Sequence, residues 1–297
     1  MMELPLVVGV DGSEAGMRAV DWAADEAALH GIPLRLVYAS LWARYEGAAL
    51  AEGLGASSER KLPDDIVEVA AGRAHRREAD LKVATEVLRE EPVPALLRAG
   101  RNASALVVGS RGRSGIADLL LGSVGLAVAA RAHCPVIVLR GSHDNQARTG
   151  IRQRIALGVG GEPHHSAAVR FAFREAEERR VPLEAVRAWR CPAHENVGHP
   201  LLAGEPARLH EERAAQTLEA ALLDAATDHP SVELHRRTVE GTARRVLLDA
   251  SAHADLLVVG ARRRHGHFGL QLGRVADTVL HHSACPVAVV PQPTRTP

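Results

Sequence analysis

The chain is 297 residues long, 46% hydrophobic and 24% charged, and its 36 basic and 36 acidic side chains cancel to a formal net charge of zero. Such a composition can bury a globular core, the length suits two domains, and the charge balance removes the electrostatic case for a nucleic-acid partner. The scattered cysteines Cys134, Cys191 and Cys285 lack CxxC spacing, and no stretch reaches the ~18 apolar residues of a membrane span, which excludes a disulfide framework, a zinc finger and a membrane partner. The opening MMELPLVVGVDGS has no basic segment ahead of an apolar one, so no signal peptide is expected and the cytoplasm is the expected location.

Leu4 to Val10 form a valine-rich run that reads as a first strand, and Asp11-Gly12-Ser13 then supply a turn and an N-cap. A helical pattern runs to about His30, with Ala19, Val20, Ala23, Ala27 and Ala28 near one face, until Gly31 and Pro33 stop it. Leu34 to Ala39 read as a second strand, Ser40 to Pro63 as a loop without periodicity, and Asp64 to Asp80 as a helix. Leu81 to Leu88 read as a third strand, Pro94 to Arg101 as a short helix and Ala105 to Val108 as a fourth strand. The glycine loop GSRGRSGIADLLLGS, Gly109 to Ser123, comes next, then a helix over Val124 to Arg131 and a fifth strand over Pro135 to Leu139. The polar, glycine-bracketed segment Gly141 to Gly150 reads as a linker, which divides the chain into domains 1–140 and 151–297.

After the linker the pattern restarts. LVVGVDGS is answered by IALGVGGE, ALVVGSRG by LLVVGARR, and AHCPVIVL by SACPVAVV. Gly9 matches Gly158, Pro33 matches Pro182, Gly109 matches Gly260 and Gly122 matches Gly273. Self-similarity at half the chain length predicts tandem copies of one domain, and alternating strands and helices predict an α/β fold with a parallel sheet covered on both faces. Ligands in such sheets sit at the carboxyl ends of the strands, where Asp11 and the glycine loop both lie.

Strand, glycine loop and helix N-terminus together form a recipe for holding phosphate. Glycines allow close backbone approach and positive φ, and the free N–H groups and dipole of the helix start attract an anion. The competing reading of Gly109, Gly112 and Gly122 is a tight strand-to-helix turn without a ligand, and that of Ser123 and of Asp11 is a plain N-cap. No GKS or GKT follows, so this is not a P-loop, and its place after the fourth strand excludes the dinucleotide fingerprint, which follows the first.

The VGVDGS segment, the G-x2-G-x9-G-S loop and the CPV opening of the last strand, in that order, resemble a tandem universal stress protein of the UspA family over almost the whole chain. The resemblance implies two tandem Rossmann-like domains, each a five-stranded parallel sheet with helices on both faces. It also implies pairing of the last strands between copies, with a homodimer as a further option. The ligand implied is an adenine nucleotide, ATP with AMP and ADP as alternatives, and magnesium only alongside ATP. Asp11 and Ala39 would form the nucleoside pocket, with Gly12 and Ser13 beside Asp11. Gly109, Gly112, Gly122, Ser123 and Val124 would contact ribose and phosphates. Arg111 and Arg113, inside the loop, could add charge-assisted contacts.

The second copy departs from this pattern. Gly160 stands for Asp11, Glu162 for Ser13, Arg263 for Gly112, and Gly273-Arg274 for Gly122-Ser123. A side chain at Arg263 would fill the phosphate path, so the nucleotide is expected mainly in the first copy. Arg262, Arg263, Arg264 and Arg274 read as a solvated basic loop in preference to a second anion site. His164, His165, His265 and His267 match no metal-ligand spacing, and no metal is expected. Cys134 and Cys285 read as small buried hydrophobes, and Trp22, Phe171 and Phe173 as core. No general base accompanies the loop, so the expectation is a regulatory stress-response protein without catalytic residues. The alternatives are a slow ATPase using Asp11, a metal and Arg111 or Arg113, and an interaction scaffold with vestigial sites.

Overall fold

The computed structural model describes residues 3–39, 58–110, 122–139, 153–161, 166–191, 205–261, 264–266 and 269–292. Two compact units emerge, residues 1–149 with 264–271, and residues 150–263 with 272–297. The expected linker lies outside the described residues.

In the first unit the strands are β1 (Leu6–Val10), β2 (Leu34–Ala39), β3 (Val83–Leu88), β4 (Ala105–Gly109) and β5 (Val136–Leu139). They lie in the order β3-β2-β1-β4-β5, every pair parallel. The order turns back between β1 and β4, which opens a crevice at their carboxyl ends. Leu6, Val7 and Val8 are all buried, which explains why β1 is a continuous apolar run with no alternation. Both faces are covered. Helices α1 (Glu14–Leu29) and α2 (Ser58–Arg77) pack together on one, and α3 (Pro92–Ala99) and α4 (Ser123–Arg131) on the other. Gly9 and Gly109 mark the two sides, since a Cβ at Gly9 would meet Leu96 of α3 and one at Gly109 would meet Ala15 of α1.

Helix α2 begins at Ser58, which corrects the expectation of a loop through Pro63. Pro63 lies inside the helix. Its missing N–H removes one bond near the start, and the turns beyond it are held by Ile66, Val67, Ala70 and Ala74, all buried. The same helix carries Arg73 and Arg77, one turn apart, against Asp21 and Asp25, one turn apart on α1. Arg73 Nε and Nη2 meet the Asp21 carboxylate at 2.7 and 2.6 Å, and Arg77 forks onto Asp25 in the same way. Both carboxylates are buried, Asp21 5% exposed and Asp25 1%. Hydrogen bonds to them hold both guanidinium groups above their ordinary value.

The second unit repeats the plan with β6 (Ile155–Gly158), β7 (Leu183–Trp189), β8 (Leu234–Glu240), β9 (Leu256–Ala261) and β12 (Val287–Pro291), ordered β12-β9-β6-β7-β8 and all parallel. Helices α5 (Ala167–Arg179) and α6 (Glu205–Asp228) cover one face, α7 (Ala243–Ser251) and α8 (Arg274–His282) the other. Between β9 and α8, short strands β10 (Arg264–Gly266) and β11 (Gly269–Gln271) pair antiparallel. Trp22, Phe171 and Phe173 lie in the cores, and Cys134 and Cys285 are buried, as read from the sequence.

Candidate functional site

Strands β2, β1 and β4 are neighbours, and their register brings three expected site residues to one edge. Val10 pairs with Tyr38 and Val8 with Val107, so Asp11 is level with Ala39 and Gly109 lies one residue short of that level. Two interstrand spacings put Ala39 and Gly109 about 10 Å apart across Asp11.

Asp11 is oriented by the turn that starts α1. Its Oδ1 accepts from the Ser13 N–H at 3.0 Å and from Ser13 Oγ at 2.6 Å, while Ser13 Oγ accepts from the Gly16 N–H at 3.0 Å. Ser13 is therefore the N-cap, and Asp11 supports it from behind. Asp11 Oδ2 has no hydrogen-bond partner among the described residues. Two glycines permit the arrangement. Gly12 turns the chain at φ +79°. A Cβ on Gly16 would stand 2.7 Å from Asp11 Oδ1. Gly109 closes the edge from the other side, because a Cβ there would lie 2.7 Å from the carbonyl oxygen of Ala15.

The helix after the glycine loop starts at the same edge. The Gly122 N–H donates to the carbonyl oxygen of Ser110 at 2.7 Å, so the chain rejoins the end of β4 where it left it. Gly122 is the N-cap of α4 at φ −61°, ψ 144°, and among the described residues no side chain caps the first turn. The first intrahelical bond runs from the Leu126 N–H to the Gly122 carbonyl at 3.1 Å. The N–H groups of Ser123, Val124 and Gly125 are thus the open end of the helix dipole.

The structure brings together Asp11, Gly12, Ser13, Ala39, Gly109, Gly122, Ser123 and Val124. Arg111, Gly112 and Arg113 lie outside the described residues. Ser123 is the first helical residue and not the cap, and neither Gly109 nor Gly122 has positive φ. Gly109 is instead a packing glycine, a role that spacing alone does not reveal. Gly16 and Ser110 are additions. A glycine in the first turn of a helix was a readable sign of close approach, whereas the carbonyl of Ser110 left no mark in the sequence.

At the second unit's edge Gly160 takes the place of Asp11, and a Cβ there would meet nothing within 4 Å. Gly273 is the N-cap of α8 and Arg274 its first residue, so the loop ends as its counterpart does, with arginine in place of Ser123. Glu162, His164, His165, Arg262, Arg263 and His267 lie outside the described residues, and Arg264 and His265 fall in β10.

Comparison with known proteins gives the family and the fold. A model of the universal stress protein family matches residues 4–140 and again residues 152–291. A universal stress protein of Mycolicibacterium smegmatis is 32% identical over 298 residues, covering 97% of each chain. One of Mycobacterium tuberculosis is 33% identical over 292 residues, again covering 97% of each. The crystal structure of a universal stress protein from Archaeoglobus fulgidus has the same fold, with a TM-score of 0.67 at 17% identity over 97% of this chain and 98% of that one.

Proposed function

The chain belongs to the universal stress protein family, and from that premise we propose that it is a regulatory protein whose first unit holds an adenine nucleotide. The observation that carries the reading is the shared edge. A carboxylate oxygen with no partner among the described residues, Asp11 Oδ2, and a helix N-terminus with no side-chain cap, that of α4, meet at adjoining strand ends. Asp11 accepts from a nucleoside hydroxyl or amino group beside Ala39. The N–H groups of Ser123 and Val124, with the Ser123 hydroxyl, take phosphate oxygens. In this reading Gly112 keeps the phosphate path open, and Arg111 adds charge to it. The bound state then acts as a signal. Pairing of the last strands within one chain belongs to the same proposal, and light scattering at known concentration separates that monomer from a homodimer.

Calorimetric titration with ATP, ADP and AMP, each with and without magnesium, tests the reading. Saturable binding at one site per chain is expected, weakened about tenfold or more by Asp11→Ala through loss of a hydrogen bond to a charged group. Gly112→Arg, which copies the second repeat's residue into the first, is expected to abolish it. If none of the three nucleotides binds saturably, the reading fails. Steady phosphate release from ATP that disappears in Asp11→Ala would replace it with the ATPase.

A further inference from the structure

The carboxyl edge of the second unit reverses the chemistry of the first. Val10 pairs with Tyr38, and Gly158, one residue before Val159, pairs with Val186, one residue before Arg187. Tyr38 and Arg187 are therefore equivalent positions, as are Asp11 and Gly160. Where the first edge has a carboxylate and a phenol, the second has an open glycine and a guanidinium.

Arg187 turns back over the end of β6. Its Nη1 donates to the carbonyl oxygens of Gly160 and of Val159, the latter 3.4 Å away. Its Nε is buried and has no hydrogen-bond partner among the described residues. Among the described residues no carboxylate lies within 4.0 Å of this guanidinium. Burial holds the group below its ordinary value, as expected of a cation withdrawn from water without a counter-charge.

Two more donors at this edge have no hydrogen-bond partner among the described residues. A Cβ on Gly158 would lie 3.0 Å from Leu247 of α7, and Val186, its register partner, shares that face. Strand alternation turns Arg187 and Trp189 to the other face, which α5 covers. The indole Nε1 of Trp189 is buried without a partner. On the far side of β6, Gln292 follows β12 and reaches the start of α5. Its Oε1 accepts from the Ala167 N–H at 3.2 Å and from Ser166 Oγ at 3.4 Å. That contact turns Nε2 toward Gly260, 2.7 Å from where a Cβ would stand, and there Nε2 is buried and unpartnered. Buried donors are seldom left unmet in folded proteins. All three here are donors, and they flank the end of β6, Gln292 Nε2 from over Gly260 of β9 and the other two from β7, strands about 10 Å apart.

We propose that this edge is a second binding site, for a small molecule that presents carboxylate or phosphate oxygens. Arg187 supplies the charge, and its Nε supplies a directed N–H. Trp189 and Gln292 each supply one further N–H. The site is distinct from the glycine-loop arginines and does not suit a nucleoside, whose hydroxyl and amino donors find no carboxylate at Gly160.

The test is calorimetric titration of the full chain with inorganic phosphate and, separately, with citrate. Saturable binding of at least one is expected, and which one binds assigns the oxyanion. Arg187→Gln should weaken it tenfold or more. Trp189→Phe, which keeps the ring and removes the N–H, should weaken it several-fold. Without ligand, Arg187→Gln should melt at the same or a higher temperature, because a cation lacking a counter-charge is removed. The proposal is overturned if neither anion binds saturably, or if Arg187→Gln binds as the parent does.

Discussion

A methyl group at Gly109 would stand 2.7 Å from the Ala15 carbonyl oxygen and 2.8 Å from its carbon, so it could be admitted only by moving α1 off β4. Its counterpart Gly260 faces only the end of the Gln292 side chain, which can swing away. Gly109→Ala is therefore expected to cost about 1–3 kcal/mol of stability, and Gly260→Ala clearly less, measured as urea midpoints. The sequence marks both as the same loop glycine, because spacing carries no information about what a side chain would strike. Asp11 was legible as a site residue, yet its support by Ser13 and Gly16 was not, since both depend on how the turn closes. Cys134 was legible as core. Burial pushes its thiol up to about 11, so at pH 8 a thiol reagent should leave it intact in the native protein and modify it in urea, read by mass spectrometry.

Among whole elements, α2 shows how packing overrides a local signal. Proline and weak periodicity argue for a loop up to Pro63, but the helix gains two forked ion pairs and a buried apolar stripe against α1, and it forms from Ser58. Removing one partner leaves the other uncompensated. Asp25→Ala is expected to cost about 3 kcal/mol, at the low end for a buried pair because the Arg77 side chain is 31% exposed. Asp25→Ala combined with Arg77→Met should recover part of that loss, read from the same urea midpoints. The sheets carry a related device of opposite sense. Arg35 of β2 pairs with Glu86 of β3, whereas at the equivalent ladder positions Glu184 of β7 pairs with Arg237 of β8 and with Arg154 at 3.0 Å. Burial alone would raise the Glu184 carboxyl, but hydrogen bonds from Arg237 and Arg154 outweigh it and hold the group below its ordinary value. The unfolded chain then binds the extra proton. This contribution to stability is full above the unfolded value near 4.5 and is lost as pH falls through the lower folded value. Glu184→Gln should consequently flatten the fall in urea midpoint between neutral and acid pH.

At the scale of the molecule, two copies of one plan have diverged at the edge where such sheets bind ligands. On the function proposed above, equilibrium dialysis of the full chain should give one adenine nucleotide per chain, and Gly112→Arg should reduce it to none. Two per chain would show that the arginine-for-glycine change in the second repeat does not block its loop. What the sequence determined by itself was the repeat, the fold class, the order of strands and helices, and the edge at which Asp11 and the glycine loop belong. Those follow from apolar periodicity, turn residues and spacing, which are local and written along the chain. The tertiary structure alone decided that Gly109 packs against α1, that Gly122 and not Ser123 caps α4, and that Asp11 keeps one oxygen without a partner among the described residues. It also decided that Arg187, Trp189 and Gln292, far apart along the chain, leave their donors unmet at one edge. Hydrogen-bond satisfaction depends on which distant groups arrive together, and strand register sets that in three dimensions.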